Sequence, residues 1–288
     1  MDFRAIGMGL AFALMWSSAF TSARIIVTNA PPLTVSAGRF FIAGLVTIAI
    51  ARMLGQSLRL TPGQWRLTIL FGICQNALYL GLNFVAMQTI EASLAAIIAS
   101  SLPLLVALVG WLVWRETLSP VAMAGLFGGF AGVALIMGTR LNAGVDPLGV
   151  SLCGIGVLAL TFATLAVRGA SAGGNLLTVV GMQMLVGGVA LTIPALTEPW
   201  NFNWSWTLVL AVLYTIVVPG VIATIVWFKL VNRIGTVRAA TFHFLNPFLG
   251  VAVASLFLGE TLGPLDIIGV VIITISIFAV QTSRVAAT

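Results

Sequence analysis

"RETLSPVAMAG", residues 115–125, is written again as "GETLGPLDIIG", residues 259–269. Glu116, Thr117, Leu118, Pro120 and Gly125 return as Glu260, Thr261, Leu262, Pro264 and Gly269, each 144 positions later in a chain of 288. At the same offset Arg24 meets Arg168, Thr34 and Val35 meet Thr178 and Val179, Gly44 meets Gly188, and Pro103 meets Pro247. One ungapped register along the whole chain is the mark of an internal duplication. It predicts two equivalent halves, 1–144 and 145–288.

Composition says what was duplicated. The chain is 60% hydrophobic and only 7% charged, against about 25% charged in a soluble domain, so it is read as a membrane protein. A span needs about 20 apolar residues. Ten such stretches are read at 4–25, 33–52, 66–87, 91–113, 120–138, 148–168, 175–196, 206–228, 236–257 and 264–282. Turn residues and charges fill the breaks, as in "NAPP", "RLTPGQWR", "NAGVDP" and "TEPWNFNW". The short connections leave no room for a soluble catalytic domain. The first span, with Arg4 and "SSAFTSA", resembles a secretory signal peptide; its counterpart in the sixth span argues that it is retained.

Charge placement predicts orientation. Arg4, Arg52, Arg59, Arg66, Arg115, Arg168, Lys229, Arg233, Arg238 and Arg284 fall on the N-terminal side of the expected spans, and only Arg24, Arg39 and Arg140 on the other. The positive-inside rule then puts both termini in the cytoplasm. The net charge of +6 reports this bias and gives no sign of nucleic-acid binding. Five spans per half is an odd number, so the second half enters the membrane upside down. The expected fold class is an all-α membrane protein of ten transmembrane helices in two inverted five-helix repeats, a plan that recurs in secondary transporters.

With its "[WL]xETL" turn closing a Pro-containing helix in each half, and the stretch "SLAAIIASSLPLLVALVGWLVWRETLSP", the chain resembles the drug/metabolite transporter superfamily, specifically its EamA-type exporters. The resemblance covers the whole chain. It implies an inner-membrane carrier exporting amino acids or other small metabolites, with an aromatic amino-acid exporter subgroup among its bacterial members.

Polar residues within spans are costly and so are the first candidates for a solute path. In span one Ser17, Thr21 and Arg24 share a helical face with Phe20. Span three carries the stripe Gln75, Asn76, Tyr79 and Asn83; span six contributes Thr161; span nine has His243, Asn246 and Pro247. These faces are expected to converge on a central substrate cavity. Trp16, Phe162, Trp227 and Phe242 are candidate aromatic walls, and Pro103 and Pro247 candidate kinks for gating. Ser17, Thr21 and Thr161 have an alternative use in bonding to helix backbone. Arg24 and Arg168 suit helix-end anchors, and Cys74 and Cys153 suit buried inert thiols. The spacings Gly125 to Gly129 and Gly128 to Gly132 predict close helix packing within the chain.

No phosphate-binding G-x-x-x-x-G-K-[ST] is present, so ATP is not an expected partner, and neither cofactor nor metal is implied. Acidic residues fall at span ends or in loops, and His243 is the only histidine, which argues against an enzyme. No cation pair is expected clearly at mid-depth, which disfavours phosphorylated sugars. The leading expectation is a secondary transporter, working by alternating access, for amino acids, neutral or aromatic, and related small metabolites. Its partners are the small-molecule substrate and the lipid bilayer, and any proton coupling would fall to His243. The alternatives are a carrier, channel or facilitator for other neutral metabolites or drugs, and a non-transporting membrane scaffold.

Overall fold

The computed structural model describes residues 3–115, 117–166, 174–234, 239 and 241–286; Glu116, Arg168 and Arg238 lie outside them. Every regular element among these residues is helical. The spans are α1 (Phe3–Val27), α2 (Pro32–Met53), α3 (Pro62–Ala86), α4 (Ala92–Ala99 and Leu102–Trp114), α5 (Pro120–Asn142), α6 (Pro147–Ala166), α7 (Leu176–Ala195), α8 (Trp206–Thr215, Ile216–Ile222 and Ala223–Ile234), α9 (Thr241–Leu245 and Asn246–Leu258) and α10 (Pro264–Ala286). Eight are long and apolar enough to cross a membrane, and α9 and α10 contribute shorter apolar helices.

Local chemistry sets the boundaries. Pro32, Pro62, Pro120, Pro147 and Pro264 open helices, where a missing N–H costs nothing. Thr61 and Gln64 close a reciprocal capping box at the start of α3. The 144-residue offset reappears in these boundaries: Phe3 and Pro147, Pro32 and Leu176, Pro62 and Trp206, Leu102 and Asn246, and Pro120 and Pro264 begin equivalent helices. Even irregularities repeat. A π-helical segment begins at Gly72 in α3 and at Ile216 in α8. Arg115 and Gly259 both end their helices in the left-handed region, at φ 52° and 66°.

The chain folds as two compact units, and neither is one half of the sequence. Unit 1 comprises Met1–Thr21, Thr89–Val150 and Ile222–Thr288, and unit 2 comprises Ser22–Gln88 and Ser151–Val221. Each unit takes equivalent elements from both halves.

In unit 1, α5 and α10 pack antiparallel. A side chain at Gly125 would lie 2.9 Å from the Ser276 carbonyl, and Gly132 and Gly269 each face the other's carbonyl at 3.1 Å. The expected close packing is therefore here, inside the chain. Beside this pair, Gly250 of α9 meets Ala96 of α4. The repeated "ETL" finds its physical use at its second copy: the Glu260 carboxylate accepts from the backbone N–H groups of Ala92 at 2.8 Å and Ser93 at 2.9 Å. A negative charge thereby satisfies the exposed donors at the start of α4. Arg140, near the end of α5, pairs with Glu91 at 2.7 Å and with Asp266 at 2.9 Å.

In unit 2, α2 and α7 form the matching antiparallel pair. Gly44 and Gly181 each face the other's carbonyl at 2.9 Å. The capping is reciprocal: Glu198, beyond α7, accepts from Leu33 and Thr34 N–H at the start of α2, while Gln56, beyond α2, accepts from Leu177 and Thr178 at the start of α7. Ala37, Phe40, Ala43, Met184, Leu191 and Ile216 form an apolar core.

Candidate solute-binding site

The most developed constellation lies in unit 1, where α9 is irregular. Pro247 cannot donate to a preceding carbonyl. The α-helix restarts at Asn246, and the preceding Thr241–Leu245 winds as a tighter 3₁₀ turn. Side chains three apart eclipse in such a turn, which brings His243 and Asn246 together: the Asn246 amide nitrogen lies 2.9 Å from His243 Nδ1. With the amide donating, Nδ1 accepts, so the imidazole is neutral and carries its proton on Nε2. Ser17 Oγ donates to Asn246 Oδ1 and main-chain O at 3.5 and 3.4 Å, long contacts that position more than they bind.

Aromatic rings pack against the imidazole of this pair. Phe12 of α1 meets His243 edge-on at 5.3 Å between centroids, Trp227 of α8 lies 5.1 Å from the same imidazole, and Phe12 and Trp227 are 4.6 Å apart. Trp16, one turn along α1 from Phe12, extends the wall at 5.8 Å. Gly9 leaves room for the neighbouring Phe242 ring, into which a Cβ there would run. One turn beyond Ser17, Thr21 is buried, with its hydroxyl unpartnered. Neutral donors and acceptors between aromatic faces, with no carboxylate among them, suit a solute that has an apolar or aromatic body and a hydrogen-bonding head.

The polar stripe of α3 belongs to unit 2 and is partly spent on packing. Asn76 donates to the Gln183 carbonyl of α7 at 2.8 Å and sits over Gly187. Asn83 donates to the Tyr79 carbonyl at 2.7 Å and accepts from Cys153 Sγ at 3.3 Å. Its first bond goes to a carbonyl of the π segment. Tyr79 is buried against Gly156 of α6, and Gln75 is half-buried. Thr161 returns its hydroxyl to Val157 O at 2.7 Å, and Phe162 is exposed. Pro103 sits in the first turn of Leu102–Trp114, after the helix break at Ser100 and Ser101.

A sequence model of the EamA-like transporter family matches residues 3–138 and, separately, residues 147–282. The chain belongs to the EamA-like transporter family. It is similar to the uncharacterized transporter YvbV of Bacillus subtilis, 26% identical over 280 residues that cover 96% of this chain and 92% of that protein. Protein PecM of Dickeya dadantii is 24% identical, over 93% of this chain and 89% of its own. The uncharacterized inner membrane transporter YedA of Escherichia coli is 26% identical, over 96% and 90%. A crystal structure with 22% identity matches 98% of each chain at a TM-score of 0.71, which shows the same fold. This EamA chain is thus a multi-pass membrane transporter and not an enzyme.

Two residues of this EamA protein escaped the sequence reading. Phe12 gave no polar signal, although its i, i+4 spacing to Trp16 marks a shared aromatic face. Arg39, inside the span read at 33–52, drew attention only as a sidedness marker: it is the eighth residue of α2 and only 7% exposed, its guanidinium 4.2 Å from the Phe40 ring centroid and 4.5 Å from that of Phe84. Arg24 donates to the Met87 carbonyl, so it ties α1 to the end of α3.

Proposed function

We propose that this EamA transporter exports amino acids, aromatic or neutral ones, together with related small metabolites across the inner membrane by alternating access. The observation that carries the reading is the packing of Phe12 and Trp227 on His243, which bonds to Asn246, with Trp16 against Phe12. In this reading the neutral imidazole Nε2–H and the amide orient a polar headgroup while the aromatic faces hold the body of the solute. Ser17 and Thr21 extend the polar path along α1, and Thr161, Gln75, Tyr79 and their neighbours Asn76 and Asn83 form a second candidate group in unit 2. Phe162, exposed on α6, is the least supported of the proposed walls. The halves 1–144 and 145–288 act as inverted repeats, a reading supported by the paired family matches and the shared helix boundaries. Pro103 and Pro247, where α4 and α9 break, are the proposed flexing points. The inner-membrane location is supported by the E. coli relative, whose name places that protein there.

Proton coupling, in this proposal, runs through His243: a proton arriving at Nδ1 displaces the Asn246 bond and frees that amide to turn. The test is counterflow in liposomes holding the purified protein, with unlabelled amino acids inside and labelled phenylalanine outside, with and without a pH gradient. Saturable entry competed by aromatic and neutral amino acids is the expected result. Absence of counterflow with every amino acid, from folded protein, would remove the substrate assignment.

A further inference from the structure

Arg39 is a buried cation without a counterion among the described residues. Arginine stays protonated under all ordinary conditions, and burying its charge is costly unless an anion answers it. Within unit 2 the sequence supplies a single carboxylate, Glu198. Both its oxygens are engaged, at 2.9 and 2.8 Å, by the Leu33 and Thr34 N–H groups, with the Thr34 hydroxyl in addition. The Phe40 and Phe84 rings give the guanidinium cation–π contact, which faces its plane and leaves its edge unanswered. On that edge Nε and Nη2 are buried and have no hydrogen-bond partner.

The identity of the two orphan nitrogens matters. Nε–H and Nη2–H point the same way from one side of the guanidinium, the fork that grips both oxygens of a carboxylate. Ser36, one turn earlier on the same face of α2, is fully buried and its hydroxyl is also unpartnered. A helical serine usually satisfies itself on its own backbone; this one does not. Three polar groups on one helix face thus have no partner among the described residues.

We propose that Arg39, through Nε and Nη2 and assisted by Ser36 Oγ, binds the carboxylate of the transported solute. The inference rests on the transport reading above and narrows it to carboxylate-bearing metabolites, amino acids included. The fork is closed from solvent, so entry requires its surroundings to move.

The test is a pair of measurements on purified protein in a non-ionic detergent and on the same protein in liposomes. Binding is followed by thermal stabilisation with phenylalanine and phenylacetate, their amides phenylalaninamide and phenylacetamide, and inorganic phosphate as a stand-in for a lipid headgroup. Carboxylates should stabilise the wild type and the amides should not. Arg39→Lys keeps the charge and loses the fork, so its carboxylate Kd should rise about tenfold. Arg39→Gln should abolish the discrimination, and if that variant does not fold, the Arg39→Lys isotherm decides. Equal affinity for acid and amide, an unchanged Kd in Arg39→Lys, or stabilisation by phosphate alone would each overturn the assignment. Counterflow of amides as fast as acids would leave a transporter without this site. Carboxylate binding that needs Arg39 but supports no counterflow would leave the site and remove the transport reading.

Discussion

At the residue scale, Asn246 holds the unit 1 constellation together because it serves two partners, donating to His243 and accepting from Ser17. The two bonds differ in quality. The first is 2.9 Å and lies beside the aromatic rings, whereas the Ser17 contacts of 3.4 and 3.5 Å are near the limit at which a hydroxyl bond still counts. Asn246→Leu keeps the branched shape and deletes the His243 bond and the Oδ1 contact with Ser17, leaving only the main-chain contact, so the KM for counterflow should rise about tenfold with folded protein retained. Ser17→Ala should change KM by less than about twofold. Equal effects of the two variants would show that the ranking by geometry is wrong. Asp146, in the connection between α5 and α6, offers a pH-dependent test outside the spans. Its carboxyl is held below the ordinary value of 3.8, first by the Thr89 hydroxyl at 2.7 Å and then by the Leu148 N–H. A depressed value means that this tie favours the folded connection at pH above the ordinary carboxylate range and fades as pH falls through the lowered one. Thr89→Val should therefore move the Asp146 titration upward in carbonyl NMR of aspartate-labelled protein. An unmoved titration would mean that the Thr89 bond does not form in solution.

At the element scale, the two helix ends that carry the repeated turn differ by one residue type at one conformation. Gly259 adopts its positive φ freely, but Arg115 holds φ 52° at a strain of about 1 kcal/mol. Arg115→Gly should raise the midpoint of thermal unfolding by an amount equivalent to about 1 kcal/mol. A lower midpoint would show that the arginine side chain stabilises this end by more than its backbone costs. Glu260→Ala, which uncovers the Ala92 and Ser93 N–H groups, should destabilise by about 1–3 kcal/mol. Faster hydrogen exchange at those two amides is the local signature to look for. Much of this was legible in the sequence. The repeat register, the proline-led helix starts and the glycine packing of α5 follow from residue types whose backbone consequences are fixed locally. The π segments were not legible, since winding by one extra residue per bond is chosen by packing: Gly72 against the Gln183 carbonyl, and Pro219 inside the segment of α8. The α3 stripe was recognisably polar. That Asn76 would spend its amide on α7, and Asn83 its own on Tyr79 and Cys153, depends on partners brought from more than a hundred and about seventy residues away, respectively. Arg39 falls inside the span read at 33–52, but its burial against Phe40 and Phe84 depends on packing that a charge in a sequence does not display.

At the scale of the whole molecule, duplication does not divide the chain where the sequence does. Each unit pairs an element with its own copy, α5 with α10 in unit 1 and α2 with α7 in unit 2, and in both pairs glycines let the backbones approach. Antiparallel copies within one compact body are what an odd number of spans per half requires, because every element of the second half then runs opposite to its counterpart. The same count makes a prediction about sidedness. With both termini cytoplasmic, the connection after α2 faces the cytoplasm and the connection after α7 faces out. The charges agree: Arg52, Arg59 and Arg66 flank the first, while residues 196–205 contain Glu198 and no cation. Ser57 and Asn201 are exposed in these two connections, and the native Cys74 and Cys153 are buried. In intact spheroplasts a membrane-impermeant maleimide should therefore label Asn201→Cys and leave Ser57→Cys untouched until the membrane is permeabilised. The reverse pattern would place the termini outside and overturn the charge argument, while labelling of both from outside would break the five-span count on which the inverted repeat depends.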